Sequence, residues 1–332
     1  MMITGICGRT GVVGGSGFRI AWSAQRRLHH MVVVTFVVAW TIVTSLSASG
    51  QTIDDAKSDH ILTTVDNWPV HVTYFKSDKG KEAAVVVLLT AANGDVDSGP
   101  TRRVWTELAT HLQKNGFAVL SVDLRKHGDS KPEQDLGKRQ KKVLPRDYRN
   151  MVIGDMEAVK AFLMEQHHLQ ELNIRKMGII TDGASALVGA AFALNDWLRP
   201  PYQDARKLAD RTPRGQDVRA IVMFSPRSTR GFNHTKILRP LSDPRRAIAF
   251  RIYHSSEDAT EQKYAEKLFT VVDLKGEDDS ELRSTRSAPA NGAGFLKGRV
   301  GTVVQEDLKK FLNKRLTELP TPWKSRTSAL DR

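Results

Sequence analysis

Cysteine is almost absent from this 332-residue sequence: Cys7 is the only one. No intrachain disulfide and no cysteine-built zinc or iron–sulfur site can form. Histidine is sparse and unevenly placed; the last of the ten is His254, so nothing from 255 onward offers an imidazole. The adjacent pairs His29-His30 and His167-His168 would point about 100° apart on a helix and make poor chelates. No H-E-x-x-H, EF-hand loop, P-loop or dinucleotide fingerprint occurs, so neither a metal nor a cofactor is expected. The acidic clusters Asp54-Asp55 and Glu277-Asp278-Asp279 lack calcium-loop spacing and read as solvated. Acidic residues are missing from the first 50 positions, although 37 Asp+Glu stand against 50 Lys+Arg in the whole, a net charge of +13. The densest basic run, Lys138-Arg139-Gln140-Lys141-Lys142, has no interleaved aromatic, which argues against a nucleic-acid partner. That run reads as a solvated loop, with an anionic envelope polymer as the other reading.

Long hydrophobic runs are equally scarce. Residues 32–46 (VVVTFVVAWTIVTSL) form an uncharged apolar stretch, shorter than the roughly 20 residues that cross a bilayer comfortably. Arg9, Arg19, Arg26 and Arg27 precede it; Ser47, Ala48, Ser49 and Gly50 follow. This order reads as a signal peptide over 1–50 and implies export to the periplasm or exterior. The alternative is an uncleaved membrane anchor, the only membrane contact the sequence suggests. Met31 is an alternative start, and Arg26-Arg27 resembles a twin-arginine signal with poorly matching flanks. Cleavage would remove four arginines and Cys7, lowering the charge from +13 to +9 and leaving a thiol-free chain.

What is present is ordinary globular composition, 40% hydrophobic and 26% charged. Five short apolar runs rich in branched residues read as buried parallel strands: 83–89, 117–124, 176–180, 219–224 and 247–253. Ahead of them, 61–65 and 70–74 flank Trp68-Pro69 and read as an antiparallel hairpin at the sheet edge. Helical periodicity lies between: Val104, Leu108 and Leu112; Val152, Met156, Val159, Phe162 and Leu163; the nearly all-apolar 184–198; Tyr264, Leu268, Val271 and Val272; and Val304, Leu308, Phe311 and Leu312. The alternation predicts a three-layer α/β fold, a mostly parallel sheet with helices on both faces. One domain spans 51–320; 125–147 and 199–217 read as loops, and 321–332 as a loose tail.

At 117–130, FAVLSVDLRKHGDS, the chain resembles the α/β-hydrolase family, in which a strand ends in a V-D-x-R-G-H-G-x-S-like turn. Lys126 replaces the first glycine of that turn. Upstream, VVLLTAANGD followed by Trp105 and Leu108 is similar to the family's third strand, oxyanion loop and first helix. The resemblance covers about 68–316, and capless dienelactone-hydrolase-like and small-esterase members are nearest in layout. It implies a serine nucleophile at a strained strand-to-helix turn, G-x-S-x-G, with a histidine base and a carboxylate.

Matched position by position, that machinery is degenerate. After the strand the chain reads Thr181-Asp182-Gly183-Ala184-Ser185, which puts Gly183 at the nucleophile position. Glycine suits the unusual backbone of such a turn but has nothing to attack with. Sliding the register by two makes Ser185 the nucleophile, with Leu187 where a small residue is needed and with Thr181 and Asp182 absorbed into the strand. The other role for Ser185 is bonding backbone in a first helical turn. Asn291-Gly292 occupies the family's His-Gly place, and an amide cannot act as a base near neutral pH. Asp258 matches the acid, with Glu257 beside it; its other reading is the N-cap of a helix starting near Ala259. Thr90-Ala91, then Asn93-Gly94, stand where the oxyanion loop carries His-Gly. His127 reads as a loop-packing residue or, with Asp182, a pocket residue, and Asp182 as a carboxylate able to meet a cationic ligand. The expectation is an exported, non-catalytic hydrolase-fold protein that binds a small molecule or an envelope component. The alternative is an active serine esterase or dienelactone-hydrolase-like enzyme using Ser185.

Overall fold

Leu62, Val70, Val72 and Tyr74 alternate with polar neighbours, and this pattern closes the first antiparallel pair, β1 (Lys57–Thr63) with β2 (Pro69–Phe75). The structure, a computed structural model, describes residues 56–92, 99–131, 142–273, 280–285 and 292–331. Outside that description lie the proposed signal segment 1–50, Asp54-Asp55, Asn93-Gly94, 138–141 of the basic run, Glu277-Asp278-Asp279 and Asn291.

The apolar runs form β3 (Ala84–Leu89), β4 (Ala118–Val122), β5 (Asn173–Asp182), β6 (Val218–Phe224) and β7 (Ala249–Ser255). With β8 (Glu281–Thr285) they make an eight-stranded sheet in the order β1-β2-β4-β3-β5-β6-β7-β8. Among the described strands, only the β1–β2 and β2–β4 pairings are antiparallel. The helices are α1 (Thr106–Lys114), α2 (Pro145–Asn150), α3 (Met156–His168), α4 (Ser185–Leu198), α5 (His234–Leu241), α6 (Ala259–Val272) and α7 (Gly298–Leu312).

Strand alternation sorts the core into two layers. Val85, Val87 and Leu89 of β3 face α3, α4, α5 and α6, whereas Val86 and Leu88 face α1 and α7. The helix α4 is buried on most of its circumference, as its uniform apolarity predicts. A Cβ on Gly189 would come within 2.8 Å of Thr181 Cγ2, so glycine permits the close approach of this helix to β5.

Four features differ from the sequence reading. Strand β5 runs on through Thr181 and Asp182; the Thr181 hydroxyl donates to the Val222 carbonyl at 3.0 Å, which accommodates a polar residue inside the sheet. Edge strand β8, ELRST, has a single large apolar residue and so no strand signal, yet it pairs with β7 and its Glu281 meets Arg251 at 2.9 Å. Helix α2 begins within the stretch read as a loop, and α5 lies between β6 and β7 where the sequence reading has no helix; α5 carries Pro240 in its last turn and is capped by Asn233, which accepts from Lys236 N at 3.1 Å.

The expected loose tail is instead pinned along its described part. Trp323 Nε1 donates to the His167 carbonyl at 3.1 Å, and Arg175 donates to the Pro322 carbonyl at 2.6 Å. Arg326, 4% exposed, donates to the Pro213 and Gly215 carbonyls and pairs with Asp217. A polar, helix-free composition concealed side chains that satisfy interior carbonyls.

Candidate active site at the β5 elbow

Turn chemistry first shapes the surroundings of the site. Arg125 donates to Asp155 through its backbone N–H and through Nε, both at 2.7 Å, grips Asp66 at 2.8 and 3.0 Å, and lies over the Trp68 ring. The guanidinium holds the Asp66 carboxyl down at about 2. Lys126 takes the left-handed backbone, φ 68°, where the family motif has glycine, and its ammonium meets Asp147 at 2.7 Å. His127 is fully buried; its Nδ1 lies 2.9 Å from the Arg125 carbonyl, which only accepts, so that nitrogen carries the proton. Asp123 takes the Arg102 N–H at 2.6 Å and its guanidinium at 2.8 Å. The charged residues of the motif therefore fasten the loops at the carboxyl edge of the sheet.

A cavity of about 220 Å³ opens at the carboxyl ends of β3, β5 and β6. Ala91 lines it from beyond β3, Asp182 and Gly183 from the end of β5, Ser225 and Arg227 from beyond β6, and Ala293 and Lys297 from the segment leading into α7. Gly183 has φ 57°, the left-handed conformation that suits glycine at the turn between β5 and α4. Its N–H donates to the Phe224 carbonyl and its carbonyl accepts from Arg227 N, both at 3.0 Å, which locks the bend onto β6 and the segment after it. The residue at the apex thus offers backbone alone.

Ser185 is fully buried in the first turn of α4. Its hydroxyl donates to the Asp182 carbonyl at 2.8 Å and accepts from the Asp182 N–H at 3.0 Å. This is the backbone-bonding role for a first-turn serine, and the residue does not line the cavity. Asp258 accepts from Thr260 N and Glu261 N, both at 3.0 Å, and so caps α6; neither it nor Glu257 lines the cavity. Thr90 is buried with its hydroxyl 3.3 Å from the Val122 carbonyl, leaving Ala91 as the member of that pair at the cavity. Asn291 lies outside the described residues, but its neighbour Gly292 is at the site with φ 60°. A Cβ on Gly292 would fall 2.1 Å from Asp182 Oδ1, so this approach requires glycine.

Two further groups had weak sequence signals. Ser225, at φ 43°, accepts from Gly292 N at 2.7 Å and donates to Glu261 Oε1 at 2.9 Å. Glu261 also accepts from Ser255 N at 2.7 Å, while its buried Oε2 finds no partner among the described residues. The position of Ser225 directly after an apolar strand could have flagged it. Glu261, three residues beyond the N-cap Asp258, looks like a capping-box acid but turns toward β6 and β7 instead. Asp182 is 7% exposed and accepts from Ala293 N at 3.1 Å. Burial raises its carboxyl to about 6, against the partial relief of the Ala293 bond and the Arg227 charge. Among the described residues no cluster of His, Cys, Asp and Glu could hold a metal ion, and no helix is long and apolar enough to cross a membrane.

No protein-family model matches the sequence, and no curated protein is similar to it in sequence. Solved structures are similar in fold. The dienelactone hydrolase of Anabaena variabilis is 16% identical, with a TM-score of 0.51 over 79% of this chain and 99% of its own. Esterase 2 of Thermogutta terrifontis, solved phosphorylated by paraoxon, is 16% identical, with a TM-score of 0.52 over 80% of this chain and 96% of its own. Sheet order, the antiparallel edge pair, the elbow after β5 and these neighbours together identify the chain as having the α/β-hydrolase fold.

Proposed function

We propose that this protein is an exported pseudohydrolase: it keeps the hydrolase elbow and its cavity but binds a small molecule or an envelope component there without cleaving it. The observation that carries the reading is Gly183, which stands at the left-handed apex of the elbow and lines the cavity with no hydroxyl. The two hydroxyls nearest in sequence are both taken up by backbone: Thr181 donates to the Val222 carbonyl, and Ser185 bonds the backbone of Asp182. Asn291 at the base position and Asp258 as a helix cap fit the same reading. Losing either nucleophile or base typically removes several orders of magnitude in rate. Export rests on the arginine-led apolar segment before residue 50, and a membrane partner enters only if that segment stays attached.

The cavity suits a compact ligand with an anionic end toward Arg227 and Lys297. A ligand donor would meet Asp182, which lines the same cavity. Hydrolysis of short-chain p-nitrophenyl esters tests the reading. Purified protein should turn over no faster than buffer, and Ser185→Ala should change nothing. Turnover that disappears in Ser185→Ala would establish the alternative, an active serine esterase.

A further inference from the structure

A second cavity, about 290 Å³, lies at the other pole of the sheet. Asp217, which pairs with the lining residues Lys160 and Arg326, immediately precedes β6, whereas Gly183 follows the carboxyl end of the parallel strand β5. Four segments build this pocket: α3, the start and end of the 199–214 connection, and the pinned tail around Arg326.

Its base is a buried, charge-balanced group. Lys160 donates to Asp217 at 2.6 Å and also to Asp196; Asp217 N donates to Asp196 at 2.7 Å; Arg326 pairs with Asp217. Glu157 is taken up by Arg199, whose Nη2 lies 2.5 and 2.6 Å from its two oxygens. These carboxylates already accept charged or backbone donors. Donors remain unused. Arg326, 4% exposed, has a buried Nε with no acceptor among the described residues. Burial lowers its guanidinium to about 10, so it stays charged at neutral pH. Arg214 is exposed, meets no carboxylate among the described residues, and lies 5.2 Å from the centre of the Tyr202 ring. Ala161, Met164 and Pro213 add apolar wall, and Asp331 is the one lining acid outside this pairing.

We infer that this pocket is a second ligand site, for a small anion, a carboxylate or phosphate monoester, on a compact apolar body. Its anionic group takes the N–H donors of Arg214, with the charge of Arg326 behind it, and its body rests against Tyr202 and Met164. A planar guanidinium offers paired donors that match both anions. A volume of this size is at the small end of small-molecule pockets, which excludes a polymer lying wholly inside it. The inference is independent of what the elbow does.

Calorimetric titration of the full chain at pH 7 with inorganic phosphate and, separately, benzoate tests it and separates the two anion classes. At least one probe should bind saturably, and Arg214→Gln should weaken that binding tenfold or more at an unchanged thermal midpoint. Arg239→Gln, exposed and lining neither cavity, should leave the affinity within twofold of wild type, and Arg227→Gln reports any binding at the elbow. Absence of saturable binding by both probes, unchanged affinity in Arg214→Gln, or loss in Arg227→Gln in its place would each overturn the assignment.

Discussion

At Asp182 a carboxyl is held out of water between β5 and the Gly292–Ala293 turn, with one N–H to accept from. Its value of about 6 lies above the roughly 4 of an unfolded aspartate. The folded state therefore holds this proton more tightly than the unfolded one. The stabilisation from this group is complete below about pH 4 and is lost as pH rises through 6. Asp182→Asn keeps an acceptor for Ala293 and removes the ionisation. It should be more stable than wild type by about 2 kcal/mol at pH 8 and nearly equal at pH 4. Urea unfolding at the two pH values measures the difference; an equal gain at both would show that ionisation is not the cause. Gly183 sits across the same turn, and a serine there must accept φ 57°, at a cost of about 1 kcal/mol.

Single elements show where sequence patterning is informative. Buried strands and the amphipathic faces of α1, α3, α6 and α7 are legible because burial on a sheet imposes period 2 or 3.6 on apolar residues. Strand β8 and the tail are not, because what holds them is ladder bonding and side chains reaching carbonyls far away in sequence. At the site, Gly183, Asp182 and Ala91 were legible from the strand ends, while the link from Gly292 through Ser225 to Glu261 depends on three separate segments. Asp258→Ala should cost about 1 kcal/mol through loss of the α6 cap, read as a shift in the urea midpoint at constant slope. A larger loss, or an altered ligand affinity at the elbow, would contradict a capping role. Arg326→Ala removes one of the two cations on buried Asp217 and should cost about 3 kcal/mol in the same measurement. A tail that merely drapes the surface would lose less than 1 kcal/mol.

For the whole molecule, the sheet separates two cavities. Its carboxyl pole carries the elbow, where the left-handed bend of a hydrolase persists around a glycine; its amino pole carries the arginine-lined pocket closed by the tail. Structural neighbours share the scaffold at 16% identity, so the chemistry must be judged at the residues themselves. Exposing the purified protein to a fluorophosphonate and weighing it intact does this most directly, with the Gly183→Ser/Asn291→His double variant beside it. The wild-type mass should remain unchanged while the double variant gains one adduct. A stoichiometric adduct on the wild-type chain, at Ser185 or at any other residue, would contradict the account.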